Sequence, residues 1–332
     1  MISILIPTKN AAHYLTECLD SIIHQTFQDW ECIVVNDHSS DHTLNILYSF
    51  SLKDPRIKFH QNKGKGIISA LQLAYAHSSG NYITRMDSDD VMLSNKLEVL
   101  WNNLQQHGNG YLSVGKVRYF SEEALGNGYK KYESWLNGLT EEQNNFKQIY
   151  KECVVPSPCW MIHRSDFELC GGFSSDVYPE DYDLCFRFYQ EKLQIVSDSP
   201  ILHKWRDYPS RSSRTDEHYS DNRFLDLKTH YFLKLDYQVE NELFLWGAGK
   251  KGKIIAKNFL AKGFNDFHWI CNNKNKIGRD IYGLTMEDLS IIDLFPKKQI
   301  VVAVAMKTEQ EKIQESLVNL GLIEGIDYFF FC

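Results

Sequence analysis

The sequence predicts an α/β fold: a mainly parallel sheet flanked by helices, followed by a second, small α/β domain. Three observations predict it. A strand, an amphipathic helix and another strand follow one another from residue 2. A short apolar strand at 82–85 runs straight into an acidic cluster, and near residue 245 a further strand enters a helix through a Gly-x-Gly-x-x-Gly turn.

Ile2-Ser3-Ile4-Leu5-Ile6-Pro7-Thr8 reads as a buried strand that begins almost at residue 1, which is taken to leave no room for a signal peptide. After Lys9-Asn10, Leu15, Leu19, Ile22 and Ile23 form one helical stripe. The next strand, Cys32-Ile33-Val34-Val35, ends in Asn36-Asp37-His38-Ser39-Ser40-Asp41. Strand, helix, strand implies a parallel sheet. Open parallel sheets bind ligands beyond the carboxyl ends of their strands, where Thr8, Asp37 and the Asp87 cluster all fall.

The segment Tyr82-Ile83-Thr84-Arg85 leads into Met86-Asp87-Ser88-Asp89-Asp90. Residues two apart on a strand share a face, so Asp87 and Asp89 can point into one site while Ser88 points away. Hard oxygen ligands favour Mg²⁺ or Mn²⁺, ions that take one or two protein carboxylates and fill their other positions with phosphate oxygens and water. A metal-bridged diphosphate is the natural reading. Two plainer ones stand beside it. Asp-x-Asp is common at turns, and Asp90 ahead of Asn95-Lys96-Leu97-Glu98 could serve only as a helix cap. A calcium loop would use Asp87, Asp89 and Glu98, but Val91 and Met92 replace its fifth ligand and its turn glycine.

Further on, Glu180-Asp181-Tyr182-Asp183 opens a helical stretch with Leu184, Phe186 and Phe188. The helix dipole stabilises acids in a first turn whatever their function. A carboxylate within reach of a hydroxyl can also act as a general base.

Taken together, Ile4-Leu5-Ile6-Pro7-Thr8-Lys9-Asn10, Val34-Val35-Asn36-Asp37-His38-Ser39-Ser40-Asp41-His42-Thr43 and Arg85-Met86-Asp87-Ser88-Asp89-Asp90 resemble, in order and spacing, the family 2 glycosyltransferases with the GT-A fold. The resemblance covers about the first 230 residues and extends to Gly171-Gly172-Phe173 and Glu180-Asp181-Tyr182-Asp183-Leu184 on the acceptor side. One departure is Asn36-Asp37-His38, where many members have Asp-Asp-Gly. The second acid is kept and the turn glycine is not.

Position by position, the resemblance implies that Thr8 and Asp37 hold the nucleotide, with Asp37 accepting a hydrogen bond from the base. Asp87 would face ribose or metal, Asp89 would be the direct ligand of Mn²⁺ or Mg²⁺, and Asp181 would be the general base of an inverting transfer. Glu180 is read as orienting the acceptor or capping the helix, Asp183 as structural, and Arg85 and Lys65 either as cations that help the leaving group or as surface or structural charges. Tyr119 to Pro158 is expected to be a long loop; its Tyr129, Tyr132 and Trp135, with Trp160 beyond, would stack on sugar or pack the core. His203 sits where some relatives carry a further metal or phosphate contact, and as a lone histidine it is expected not to be a ligand.

The first domain is expected over 1–235 and the second over 242–332, with the arginine-rich stretch Arg206 to Arg223 leading out of the first. In the second, the strand Glu242-Leu243-Phe244-Leu245-Trp246 meets Gly247, Gly249 and Gly252 and then a helix, the phosphate-binding turn of a Rossmann-like unit. These glycines hold a dinucleotide or other ligand on one reading, and on the other only let helix and strand pack closely. The next strand ends in Asn272-Asn273, where a dinucleotide site offers a carboxylate to the ribose.

A net charge of −7 over 332 residues argues against a nucleic-acid partner. Eight cysteines without Cys-x-x-Cys pairing read as thiols in a reducing cytoplasm rather than a zinc site. The expected function is a metal-dependent inverting glycosyltransferase that moves a sugar from a nucleotide-sugar donor, UDP-linked, to a glycan or lipid-linked glycan in surface polysaccharide synthesis. Its expected setting is the cytoplasm, with peripheral association at the inner face of the membrane and homo-oligomerisation left open. The alternative is a noncatalytic nucleotide-sugar-binding or assembly subunit that uses the second domain for regulation or oligomerisation.

Overall fold

The computed structural model of the chain describes residues 1–122, 124–198, 200–211, 214 and 224–332. These form two compact units: Met1–Asn145 with Val154–Arg214, and Phe146–Cys153 with the described part of 215–332. The arginine-rich stretch expected to lead out of the first domain falls in part outside the described residues, at 212, 213 and 215–223.

The first unit runs β1 (Ile2–Thr8), α1 (Leu15–Ile23), β2 (Trp30–Asn36), α2 (Thr43–Lys53), β3 (Ile57–Gln61), α3 (Ile67–Ala76), β4 (Tyr82–Arg85), β5 (Val91–Met92), α4 (Lys96–His107), β6 (Tyr111–Val114), β7 (Lys116–Phe120), α5 (Asn127–Glu141), β8 (Trp160–His163), α6 (Arg164–Leu169), α7 (Glu180–Gln190), β9 (Gln194–Val196) and β10 (Ile201–Arg206). Its main sheet has the order β3-β2-β1-β4-β8-β6-β9. The strands β3, β2, β1 and β4 are parallel, β8 is antiparallel to both its neighbours, and β6 pairs β9 in parallel. Both faces of β1 and β2 are buried, which is why their sequences are almost unbroken apolar runs. A smaller sheet, β5-β10-β7, carries the end of the acidic segment.

The stretch from Tyr119 to Pro158 is not a long loop. It contains α5, whose Leu136, Leu139 and Thr140 are buried and whose Tyr129, Tyr132 and Trp135 pack against the core of the first unit. A period of three to four apolar residues is present there, but Gly126, Gly128 and Gly138 obscured it. Gly128 and Gly138 have no atom within 4 Å of a would-be Cβ, so they sit on the outer face, where glycine only weakens the helix.

The second unit comprises α8 (Phe224–Leu235), β11 (Glu242–Trp246), α9 (Lys250–Ala261), β12 (His268–Ile270), β13 (Asp280–Ile281), β14 (Leu284–Glu287), β15 (Lys298–Val302), α10 (Lys307–Asn319) and β16 (Tyr328–Phe330). Its sheet, ordered β13-β14-β12-β11-β15-β16, is parallel except at β13. Phe244, Trp246, Ile270, Ile300, Val302 and Leu317 lie at its core. Two pieces expected in the first domain belong here. The helix α8 does, and so does Phe146–Cys153: the Tyr150 ring stacks on Phe331 with centroids 5.2 Å apart and meets Phe232 and Phe329 edge-on. Buried Lys228 on α8 donates to the Lys151 carbonyl at 2.9 Å.

The glycine turn between β11 and α9 divides by position. A Cβ on Gly252 would lie 2.0 Å from the Gly247 oxygen, and Gly247 itself has φ 134°, so both are required by backbone geometry. Around Gly249 the space is open. We therefore expect Gly252→Ala to destabilise the second unit by roughly 1–3 kcal/mol through overpacking. Gly249→Ala should stay within about 0.5 kcal/mol of the parent. Urea unfolding followed by tryptophan fluorescence separates them, and equal midpoints for the two variants would refute the packing role.

Candidate active site

The strands β1, β2 and β4 end side by side. Thr8 pairs with Asn36 and Leu5 with Arg85, so Thr8, Asp37 and Asp87 leave the sheet at one edge. Asp37 is buried; its Oδ1 accepts from Asn62 Nδ2 at 2.7 Å and from the Gly66 N–H at 3.1 Å, and Lys9 Nζ lies 3.8 Å from Oδ2. The loop entering α3 therefore fixes this carboxylate. Thr8 Oγ1 is buried without a hydrogen-bond partner among the described residues, an arrangement that costs about 1–3 kcal/mol until a donor or acceptor arrives. His38 stands where the resemblance expects glycine. It adopts a left-handed φ of 55°, and its Nε2 lies 2.8 Å from the Gly64 carbonyl oxygen, so the turn survives without the glycine.

The acidic segment is organised by Arg85. Its guanidinium is buried, with NH2 3.0 Å from Asp87 Oδ1 and NH1 2.8 Å from Glu180 Oε1. Burial would raise the Asp87 pKa, but Arg85 and then Arg211 together outweigh it and hold this carboxyl below its usual range. Asp89 differs. Its Oδ2 accepts from the Tyr208 hydroxyl at 2.9 Å, and burial followed by the charges of Asp90 and Asp87 pushes its pKa up to about 7. Arg211 is held charged beside Asp90, Tyr119, Asp89 and Asp87, against the effect of its own burial.

Asp90 is not a cap. It is fully buried, with Oδ1 accepting from the Arg206 N–H at 2.7 Å and Oδ2 2.9 Å from His203 Nε2. On the other side of the imidazole, Nδ1 lies 3.2 Å from Lys96 Nζ, which donates to the Pro158 carbonyl at 2.5 Å. Burial, then Lys96, keeps the His203 pKa well below its ordinary value, while burial, then Asp87, pushes Asp90 up to about 8. A neutral imidazole thus donates Nε2–H to Asp90 and accepts from Lys96. Both ring nitrogens are occupied, which accounts for His203 without any ligand role.

Asp181 opens α7 after Pro179. Its Oδ1 accepts from the Tyr182 N–H at 2.8 Å, and it lines a narrow crevice with Arg85, Ser157, Trp160, Leu184 and Cys185. Burial and then Glu180 raise its pKa to about 7, against Arg85. Glu180 is a partner of Arg85 rather than a cap, and its Oε2 is buried without a partner among the described residues. Asp183 is structural, since its Oδ2 accepts from Arg187 Nε at 2.9 Å.

The family model for glycosyl transferase family 2 matches residues 3–170, about half of the chain. The chain belongs to that family. Among relatives, the Escherichia coli UDP-Glc:alpha-D-GlcNAc-diphosphoundecaprenol beta-1,3-glucosyltransferase WfgD is 29% identical over 246 residues, spanning 73% of this chain and 88% of its own. An uncharacterised glycosyltransferase of Rickettsia bellii is 31% identical over 180 residues; the match takes in 54% of this chain and 24% of that longer protein. Staphylococcus aureus TarS 1–349 in complex with UDP superposes with a TM-score of 0.53 at 18% identity, over 79% of this chain and 71% of that one. This likeness shows the fold, which is GT-A.

In this glycosyltransferase no group of three or more His, Cys, Asp or Glu side chains converges as a metal cage among the described residues. The donor set still fits a hard divalent cation. Asp89 keeps Oδ1 unpartnered among the described residues, its neighbours Asp87 and Asp90 crowd it with like charge, and such ions take one or two carboxylates beside phosphate. Several residues here escaped the sequence reading. Tyr208, Arg206 and Arg211 lie in or beside a stretch read as a way out of the domain, yet Arg206 Nε donates to the Asp89 carbonyl at 2.6 Å. Their one signal was three aromatic or basic residues in six positions.

Because Arg85 is the shared partner of the buried Glu180 carboxylate and the partly buried Asp87 carboxylate, Arg85→Met should cost about 3–5 kcal/mol, the range for stranding a buried charge. Chemical denaturation measures this, and the double variant Arg85→Met/Glu180→Gln should recover part of the loss. A change under 1 kcal/mol would mean that the bridge is solvated.

Proposed function

We propose that the chain is an inverting, metal-dependent transferase that moves a sugar from a UDP-sugar to a glycan or lipid-linked glycan. One observation carries the reading: a single buried guanidinium, Arg85, binds Asp87 on one side and the first turn of α7 on the other. Asp87 on the donor side and Glu180, the residue next to Asp181, are thereby held by one group. The name of the E. coli relative, a UDP-glucose enzyme with a lipid diphosphate acceptor, supports the donor and the acceptor class.

In this mechanism Thr8 and Asp37 hold the nucleotide, Thr8 through its unpartnered hydroxyl and Asp37 through the oxygen edge left beside Asn62. Asp89, with Asp87 beside it, would hold Mn²⁺ or Mg²⁺. When bound, the cation supplies charge neutralisation to the departing diphosphate. Asp181 takes the acceptor hydroxyl proton as that oxygen bonds the anomeric carbon and the bond from carbon to diphosphate oxygen breaks. A base with a pKa near 7 is matched to this task, being ionised at neutral pH and still basic enough to take a proton. Arg85 fixes Glu180 and so sets the direction of the first turn from which Asp181 projects.

Asp181→Asn is expected to lower transfer by about 10²- to 10⁴-fold while donor affinity stays near that of the parent. The same base predicts the pH profile. Its conjugate acid is inactive, so kcat/KM should rise about tenfold per pH unit up to about 7 and level off above it, and the asparagine variant should lose that limb. Product assays with a competent acceptor, alongside donor titration, provide both measurements. Retained turnover would move the role to another carboxylate.

Asp89→Ala tests the donor side. Mn²⁺-dependent affinity for the nucleotide sugar should be lost while the fold persists, because removing one of three crowded acids relieves repulsion in the empty protein. Calorimetric titration with and without Mn²⁺ reads the difference, and unchanged affinity in Mn²⁺ would exclude the metal role.

A further inference from the structure

Between Gly247 and Arg279 the chain carries eight Lys or Arg residues and a single acid, a local charge of +7 in a protein whose net charge is −7. The rest of the chain therefore carries −14. This segregation has a definite place in the second unit. Lys250, Lys253 and Lys257 recur at helical spacing on the exposed side of α9, opposite the buried Gly252, Ile255, Ala256 and Phe259. The loop after β12 lies along the same helix: Lys276 Nζ donates to the Ala248 carbonyl at 2.8 Å at one end, and Lys257 Nζ stands 5.0 Å from the Tyr282 ring at the other. Exposed Lys274 and Arg279 belong to that loop.

Lys250, Lys253, Lys257, Lys274 and Arg279 have no carboxylate in ion-pair contact among the described residues. Of the acids that follow, Asp280 accepts from the Gly283 N–H, Glu287 lies 2.8 Å from His268 Nδ1, and Asp288 accepts from the Ser290 N–H, feeling the Lys274 charge without an ion-pair contact. Three lysines in the first two turns of a helix also oppose its dipole, so the sequence gives up local stability to place them there. Tyr282, 44% exposed, adds an aromatic ring to the cationic face. Cations outside ion-pair contact with any carboxylate among the described residues, beside an exposed aromatic ring, suit an anionic lipid surface.

We propose that this face of the second unit docks on an anionic lipid bilayer, holding the enzyme where a lipid-linked acceptor is presented. The proposal rests on the acceptor class given under Proposed function. No helix among the described residues is long and apolar enough to cross a membrane. The attachment proposed is electrostatic and at the surface. Its strength is set by the number of cations and by salt, each cation contributing about fivefold in partitioning at physiological ionic strength.

The test is co-sedimentation of the full chain with vesicles of mixed phosphatidylglycerol and phosphatidylcholine, and with phosphatidylcholine alone. The parent should bind the mixed vesicles, be released by high salt, and leave the neutral ones in solution. Lys250→Gln/Lys253→Gln/Lys257→Gln should lower partitioning about 100-fold, whereas the equal charge change Lys130→Gln/Lys131→Gln/Lys307→Gln should alter it by less than about fivefold. Equal losses in the two triple variants, or no binding by the parent, overturns the proposal. So does release from the mixed vesicles by pyrophosphate at matched ionic strength, which would make the turn a small-anion site, or tighter binding to duplex RNA than to vesicles. Transfer to an acceptor without a lipid tail is measured in parallel. Intact transfer with no vesicle binding removes only the docking face, and vesicle binding with no transfer to any acceptor removes only the enzymatic reading.

Discussion

The Arg85 guanidinium is the interaction on which the rest of the site depends. It is buried between Asp87, just past the end of β4, and Glu180 at the start of α7, which lies 95 residues from Arg85 in sequence. Desolvating three charges is expensive, and the mutual attraction returns that cost only with good geometry. The balance here is incomplete, since Glu180 Oε2 remains buried without a partner among the described residues. That imbalance has an electrostatic effect: the negative charge not cancelled at Glu180 adds to burial in raising the neighbouring Asp181 carboxyl to about 7. An incompletely neutralised structural pair thus tunes a carboxylate that the pair does not touch.

Behind this layer lies a second, fully buried one. Burial raises the Asp90 pKa and lowers those of His203 and Lys96, pushing each towards its neutral form. The chain Arg206 N–H, Asp90, His203, Lys96 and Pro158 carbonyl ties β10, the acidic loop, α4 and the segment before β8 through hydrogen bonds alone. Such a network specifies one arrangement because every alternative leaves a buried polar group unpaired. It gives the flexible-looking Asp87–Asp90 turn a rigid back wall.

Much of this was legible in sequence because it depends on short-range pattern. Apolar runs ending in Thr8, Asn36 and Arg85 gave the strand ends, and the acid-rich start of α7 was visible as a helix opening. What escaped was long-range. Nothing local distinguishes Arg85 from a surface cation, because its significance lies in Glu180. Asp90 reads as a cap until His203 and Arg206 are brought to it from more than 100 positions away. The helix α5 was hidden by glycines on its solvent face and by aromatics that could equally suit a sugar. Tyr208 and Arg211 were hidden in a stretch whose polarity resembles a linker, and polarity there reflects acidic partners instead of water.

The placement of Phe146–Cys153 has a consequence for biosynthesis. These eight residues pack with α8 and with β16 at the far end of the chain, while the residues on either side of them belong to the first unit. During synthesis at about 5–20 residues per second, Tyr150 emerges roughly 10–35 s before Phe331, the ring on which it stacks. For that interval the segment lacks its stacking partner, having at most the Phe232 and Lys228 contacts of α8. The first unit must condense around an open insertion, and the second can close only after its last strand is made. Protection of this stretch in the nascent chain is therefore a matter of timing rather than of final stability.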